Sequence, residues 1–375
     1  TFSGQHGHGD LSALLDGVSC EACHGAASDW LGPHVRHDWA KKSPEEKAAL
    51  GFRENKNLWN RSKVCADCHV GEPGRDVNHD LYAAGHPRLF FEMSAFHANM
   101  PAHWDRNDDR QRTGPDRDKS SFEAKLWAIG QLASAEAALD LLVHRADNAR
   151  DDFVLRDKDA KYPAGETVAV WPEFAETGCF ACHHNLDSPS WRQKRGYASR
   201  NAGGYPWGTW LFPIIPTVVG SSGADDLTGA DSPLSKLTRE MARPYPNQKD
   251  VISNAKDLQA VLTNSAQSID GQQLTAKQIA GWMKGVSAVG TSASQQSWDG
   301  ATQSWLSLTA IHQGLNDVSG STGQPSEKSQ QINAALEKIR SHLEFPKEFD
   351  SPENFSSDPA AAISTELKKI HDILK

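Results

Sequence analysis

A mainly α-helical fold is predicted from three observations. Apolar residues recur at helical spacing through long stretches of the 375-residue chain. Strand signals are few. Gly- and Pro-containing irregular segments gather around three short cysteine motifs in the first half. The chain is expected to divide into residues 1–220, irregular backbone around those motifs, and residues 221–375, a mostly helical C-terminal region packed on or beside it.

In chain order, Pro44 to Leu50 reads as a short helix with Ser43 as N-cap and Glu46 at the capping-box position. Around His79, a helix is expected to stop before His86, because Gly85 and Pro87 flank that residue. Asp105 to Lys119 is a charged loop with little to bury. The clearest helix runs from Ser121 to about Asn148, with Ser120 and Glu123 as a capping box. Its apolar positions are Phe122, Leu126, Ile129, Ala133, Ala137 and Leu141, and its alanines allow a neighbour to approach closely. Gly203 to Pro216 should wrap the core irregularly, and Gly220 to Asp231 should be a surface loop. The last third carries periodic runs over Val251–Ile269, Thr275–Val286 and Trp298–Leu315. Two further stripes are Ile332/Leu336/Ile339/Leu343 and Ile363/Leu367/Ile370/Leu374. Gly314 to Ser329 reads as a loop between them.

All six cysteines fall in one repeated pattern. Cys20, Cys23 and His24 form C-E-A-C-H. Cys65, Cys68 and His69 form C-A-D-C-H. Cys179, Cys182 and His183 form C-F-A-C-H. C-x-x-C-H is the attachment signature of a c-type haem: two thiols form thioethers to the macrocycle, and the His that follows ligates the iron. A structural zinc site has no need of a His after every pair, and three pairs leave one unmatched. A thioredoxin-like dithiol needs a strand before it and a helix after it. Two cysteines three apart are poorly placed to bridge each other. Three covalently attached haems c are therefore expected, in a multihaem cytochrome c core with irregular loops around the haems.

The composition agrees with a cofactor-filled core. Only 38% of residues are hydrophobic, which is lean for a core of this length, and flat apolar macrocycles replace part of it. The formal net charge of −9 argues against nucleic acid as a partner and suits a redox partner with a basic surface. No run of 18 apolar residues occurs, so no transmembrane segment is expected. Haem attachment to C-x-x-C-H takes place outside the cytoplasm, so a periplasmic or otherwise extracytoplasmic location is expected. No signal peptide is visible in the chain.

Distal iron ligands are sought among the histidines. The chain has 16, and ten of the thirteen outside the motifs lie at or before His184. His86, His79 and His34 are the leading candidates, followed by His37 and His184. His97, His103 and His6 rank lower. His34 and His37 are expected to reach a haem other than that of His24. His184 adjoins His183 and cannot cap the opposite face of the same haem. Bis-histidine ligation is preferred to ligation by Met93 or Met100, and it places the potentials low.

The strings D-G-V-S-C-E-A-C-H-G-A-A-S-D-W-L-G-P-H, N-H-D-L-Y-A-A-G-H-P-R-L-F-F-E and W-P-E-F-A-E-T-G-C-F-A-C-H-H, with P-W-G-T-W ending at Trp210, resemble the multihaem cytochromes of the cytochrome c554 family, including planctomycete members. The similarity covers roughly Asp16 to Pro216. It implies closely packed haems with mostly bis-histidine ligation. The role of a histidine that follows one haem motif and ligates another haem falls to His34 or His37. The G-H-P histidine is His86, and the H-D-L histidine is His79. The family usually carries four haems, whereas this chain has three motifs.

The leading functional expectation is electron transfer by a triheme cytochrome c that relays electrons between redox partners, such as another cytochrome or a multihaem oxidoreductase. The alternative is an enzyme acting on nitrite, nitric oxide or hydroxylamine at a five-coordinate haem. A haem-bearing structural or sensory module is a third class.

Overall fold

The structure is a computed structural model that describes residues 18–101, 103–104, 121–149, 171–183, 193, 197, 201–221, 226–319, 325–343, 345 and 355–375. Among these residues it is mainly α-helical. Two isolated bridges, Glu72 with Arg75 and Thr177 with Trp207, are the β-type pairings that occur.

Five short helices and one longer one carry the first half: α1 (Cys20–His24), α2 (Leu31–His34), α3 (Pro44–Ala48), α4 (Leu58–His69), α5 (His79–Ala83) and α6 (Met93–Asn99). Their ends follow local chemistry. Ser43 and Glu46 close the expected capping box on α3. Asn57 accepts from Asn60 N–H to start α4, Asn78 accepts from Leu81 N–H to start α5, and Glu92 accepts from Ser94 and Ala95 N–H to start α6. α5 stops before His86 as expected, and Gly85 takes φ of 99°.

The hub is α7 (Phe122–Asn148), 27 residues long. The stripe expected from its spacing is buried at Leu126, Ile129, Ala133, Ala137 and Leu141, but burial runs all round the helix to include Trp127, Leu132, Leu139 and Leu142. Each such large side chain contributes about 1.5–3 kcal/mol relative to exposure. α7 is also long and apolar enough to cross a membrane, yet 83% of its apolar window is buried inside the fold, so its apolar surface is taken up by packing. The proposed cap residue Ser120 lies outside the described residues. The N-cap is Ser121, which makes no side-chain cap bond.

Helices α4 and α6 pack on α7, as do the C-terminal helices α10 (Gln248–Asp270) and α12 (Trp298–Val318), and α8 (Ile215–Ser221) packs on α7 and on α10. α9 (Pro233–Met241) leans on α10, α11 (Ala276–Gln296) on α12, and α14 (Ser357–Ile373) on both α11 and α13 (Glu327–Leu343). Trp127 of α7 meets Trp282 of α11 edge to face, centroids 5.6 Å apart. A buried bidentate pair, Arg88 to Asp299 at 2.8 and 3.3 Å, joins the segment after α5 to the start of α12. Thr209 also donates to Asp299, at 2.5 Å.

Three expectations need correction. The loop expected from Gly314 begins later, because α12 continues to Val318. Gly314 is a crossing point there: a Cβ on it would lie 2.8 Å from Ala124 of α7. The helix expected to end at Val286 runs to Gln296. Ser287 and Thr291 return their hydroxyls to the carbonyls of Met283 and Ser287, and Gly290 admits Ser304 of α12. α9 was not expected, although Ser232 caps it and Pro233 occupies its first turn. Of the expected irregular stretch Gly203–Pro216, the part up to Ile214 is irregular and buries Trp207, Trp210 and Phe212, while Ile215 and Pro216 open α8. The expected charged loop Asp105–Lys119 lies outside the described residues.

Candidate haem sites around the three cysteine motifs

The first motif is α1. It ends at Gly25, with φ of 80°, where a Cβ would sit 2.6 Å from the Gly51 carbonyl oxygen. That close approach lays the strand of chain from Phe52 to Asn55 behind the motif. Arg53 holds His24 twice: its backbone N–H donates to the His24 carbonyl at 2.8 Å, and its carbonyl lies 3.0 Å from His24 Nδ1. A carbonyl only accepts, so the ring proton sits on Nδ1 and Nε2 keeps its lone pair. That is the tautomer a metal-ligating histidine needs, held by the kind of outer partner such ligands have. Phe52 stacks on the ring, centroids 4.7 Å apart and planes 10° apart. Asn55 Nδ2 donates to the Cys23 carbonyl at 3.1 Å.

The second motif ends α4. Leu58, Arg61, Ser62, Val64 and Ala66 are its buried residues, which leaves Cys65 half-buried and turns Cys68 and His69 outward. They open onto a cavity of about 700 Å³, a size that suits a cofactor. Its walls include Val64, Phe91, Met93, Phe96 and Met100, and also Ala22 and Cys23 of the first motif. Val18, Phe96 and Met100 are among the most exposed large apolar side chains of the protein, at 72%, 42% and 42%, and all three line this cavity. A flat apolar group in it would cover them. Burial pushes the Cys65 thiol up to about 11, and Cys23 nearby adds to the shift. Burial lowers the pKa of His69 and so favours its neutral, ligand-competent form. Phe91 stacks on His69 at 5.1 Å, and Phe96 meets it edge-on at 4.9 Å.

The third motif is a 3₁₀ turn, Cys179–Ala181, followed by His183, whose N–H donates to the Cys179 carbonyl at 2.9 Å. Arg145, near the end of α7, reaches Glu176 before the turn at 2.9 Å and Asp76 before α5 at 3.0 Å. Trp207 Nε1 also donates to Glu176, at 2.7 Å. His79 opens α5, and its N–H donates to Glu173 at 3.0 Å. These bonds bring α5 against the motif, and the ring centroids of His79 and His183 stand 6.0 Å apart. Two imidazoles on opposite sides of one metal, each about 2 Å from it, have centroids roughly 6 Å apart.

Of the candidate distal ligands, the structure thus brings His79 to a motif histidine. His34 is exposed and sits 5.6 Å from Trp30, with Nδ1 on the Leu31 carbonyl of its own helix. His86 is exposed, with Nδ1 on the Pro87 carbonyl and Tyr82 as its ring neighbour. His37 is exposed. His184 and His6 lie outside the described residues. Sequence reasoning ranked His103 low, yet its ring lies 6.0 Å from that of His24. Seventy-nine residues separate the two in the chain, and no local spacing signals their approach.

None of the six cysteines is paired in a disulfide. Among the described residues, no three His, Cys, Asp or Glu side chains gather in a set that could hold a bare metal ion. Comparison with protein-family models, curated proteins and solved structures gives no match to this chain.

Proposed function

We propose that this chain is an extracytoplasmic electron-transfer protein of the multihaem cytochrome c type, with three haems c on Cys20/Cys23/His24, Cys65/Cys68/His69 and Cys179/Cys182/His183. The observation that supports it most is the shared cavity. Cys23 of the first motif and Cys65, Cys68 and His69 of the second line one apolar space of about 700 Å³. Two attachment sites that open on one space place their cofactors close together, which is what hopping between them requires. A haem bound in such a site supplies one-electron iron chemistry, and its ligands, hydrogen bonds and burial tune the potential.

The residues do the rest. Arg53 fixes the His24 tautomer and ring plane. Phe91, Met93 and Val64 wall the cavity against water. His79 and His183 would together hold the third haem, and Arg145 with Glu176 and Asp76 holds those two segments in register. The acidic chain, at −9, suits a basic redox partner, with no role for nucleic acid. The resemblance to the cytochrome c554 family belongs to the same reading.

One observation favours the second reading, an oxidoreductase acting on a small nitrogen compound. The rings packed on His69 are Phe91 and Phe96, and the cavity continues beside them. Carbon monoxide added to the reduced protein separates the two. An unchanged Soret band supports the carrier. A shift in one haem of three moves the weight to the enzyme, to be followed by turnover with nitrite, nitric oxide and hydroxylamine.

A further inference from the structure

We propose that His103 is the sixth ligand of the iron held by His24, an inference that rests on the haem-bearing reading above. The ring centroids are 6.0 Å apart with planes inclined at 40°, the separation shown by His79 and His183 and the one expected across a metal. In the neutral ring of His24, a proton on Nδ1 donated to the Arg53 carbonyl leaves Nε2 as the atom that would face a metal.

The position of His103 is held by a closed circuit of contacts. Its neighbour Trp104 meets it edge-on at 5.2 Å and lies stacked on His97, also at 5.2 Å. The Arg61 guanidinium sits over the Trp104 ring at 4.1 Å. Arg61 is 1% exposed, so it is a fixed post, and a cation on an indole face adds attraction. Arg61 Nε donates to the Asn55 carbonyl at 2.9 Å, and Asn55 Nδ2 donates to the Cys23 carbonyl at 3.1 Å. The circuit therefore starts and ends on the first motif: Cys23, Asn55, Arg61, Trp104, His103, His24. A side chain positioned in this way is pre-organised to ligate.

The same segment serves both neighbouring sites. Phe96, Asn99, Met100 and Trp104 line the cavity of the second motif, while His103 faces the ring of the first. Phe96, Met100, His103 and Trp104 thus reach two attachment sites. Losing its histidine opens the first iron without removing the covalent haem, which the two thioethers retain.

The test uses the full chain matured with haem, comparing wild type with His103→Ala, His103→Met and His342→Ala. Haem content, low-temperature electron paramagnetic resonance of the oxidised form and carbon monoxide binding of the reduced form are measured. His103→Ala should keep its haem count, convert one low-spin centre in three to high spin, and bind one more carbon monoxide per chain. Imidazole in solution should restore the low-spin signal. His103→Met should keep that centre six-coordinate and raise one midpoint potential, as a methionine ligand does. His342→Ala, at an exposed position of α13, should leave the spin states as in wild type. If His103→Ala retains every low-spin signal and wild-type carbon monoxide binding, the assignment is wrong while the haem reading stands. If His103→Ala does not fold, an unshifted set of potentials in His103→Met overturns it equally. Wild-type protein without haem would instead remove the reading beneath it.

Discussion

Arg145→Gln removes the cation that holds the third motif to α7 and to the segment before α5. Arg145 is 6% exposed and pairs with Glu176 at 2.9 Å and Asp76 at 3.0 Å. The two pairs are unequal. The Asp76 side chain is 33% exposed, so its share is that of a half-solvated pair, about 0–1 kcal/mol. The Glu176 side chain is 12% exposed, and stranding it costs about 3–5 kcal/mol. Trp207 still donates to Glu176, which places the expected loss near the lower end, about 3 kcal/mol. Burial already raises the Glu176 pKa, and Arg145 is what holds it down. In the variant the native state therefore keeps a proton that the unfolded state has released. Stability falls as pH rises from the ordinary glutamate value of 4.5 toward the raised native value. Urea unfolding at pH 5 and pH 7.5 should show the larger loss at pH 7.5, and adding Glu176→Gln should recover at least half of it. A loss below about 1 kcal/mol, or one indifferent to both pH and Glu176→Gln, refutes the role given to this network.

The buried Arg88–Asp299 pair, with side chains 7% and 5% exposed, should behave similarly: Arg88→Met costs about 3 kcal/mol by urea unfolding, and Arg88→Met with Asp299→Leu costs less than the single change. Two helical glycines should respond with opposite sign in thermal melts. Gly281→Ala meets nothing within 4 Å and should stabilise by about 1 kcal/mol. Gly130→Ala would put a Cβ 2.3 Å from Met93 Cβ and should cost about 1–3 kcal/mol, pushing the cavity wall off α7. His312 is buried on Ser329, at 3.0 Å, and burial lowers its pKa below 6.5. Below pH 6.5 the unfolded state binds a proton first, so stability should drop as pH falls through that value. His312→Gln should flatten this slope in urea titrations at pH 5.5 and 7.5.

Much of the helical frame is legible because single-sided burial leaves a stripe. Ile363, Leu367 and Ile370 announce α14, and Ile332, Leu336 and Ile339 announce α13. α7 shows the limit. Its spacing gives the helix but not the hub, since burial on every side erases the periodic contrast. Gly290 and Gly314 look like breakers and are close crossings instead, a property of partners far away in sequence. The sites divide in the same way. The proximal set His24, His69 and His183 is local, written as cysteines three apart with a histidine behind them. His79 is readable from an H-D-L context beside the motifs. His103 is not, because its approach to His24 depends on Arg61 and Asn55 holding Trp104. Met100 enters the sequence reading only as a candidate axial ligand and Phe96 carries no signal there, whereas the fold shows both lining the cavity beside Cys68 and His69.

The central claim is that each of the three C-x-x-C-H motifs holds a covalent haem. The most direct measurement is a pyridine haemochrome count, combined with thiol titration of the denatured protein, on chain exported by a host that matures c-type cytochromes. The account predicts three haems c per chain and no free thiol among Cys20, Cys23, Cys65, Cys68, Cys179 and Cys182. A chain that passes through the same maturation without haem, with its six thiols free or bound to zinc, contradicts it.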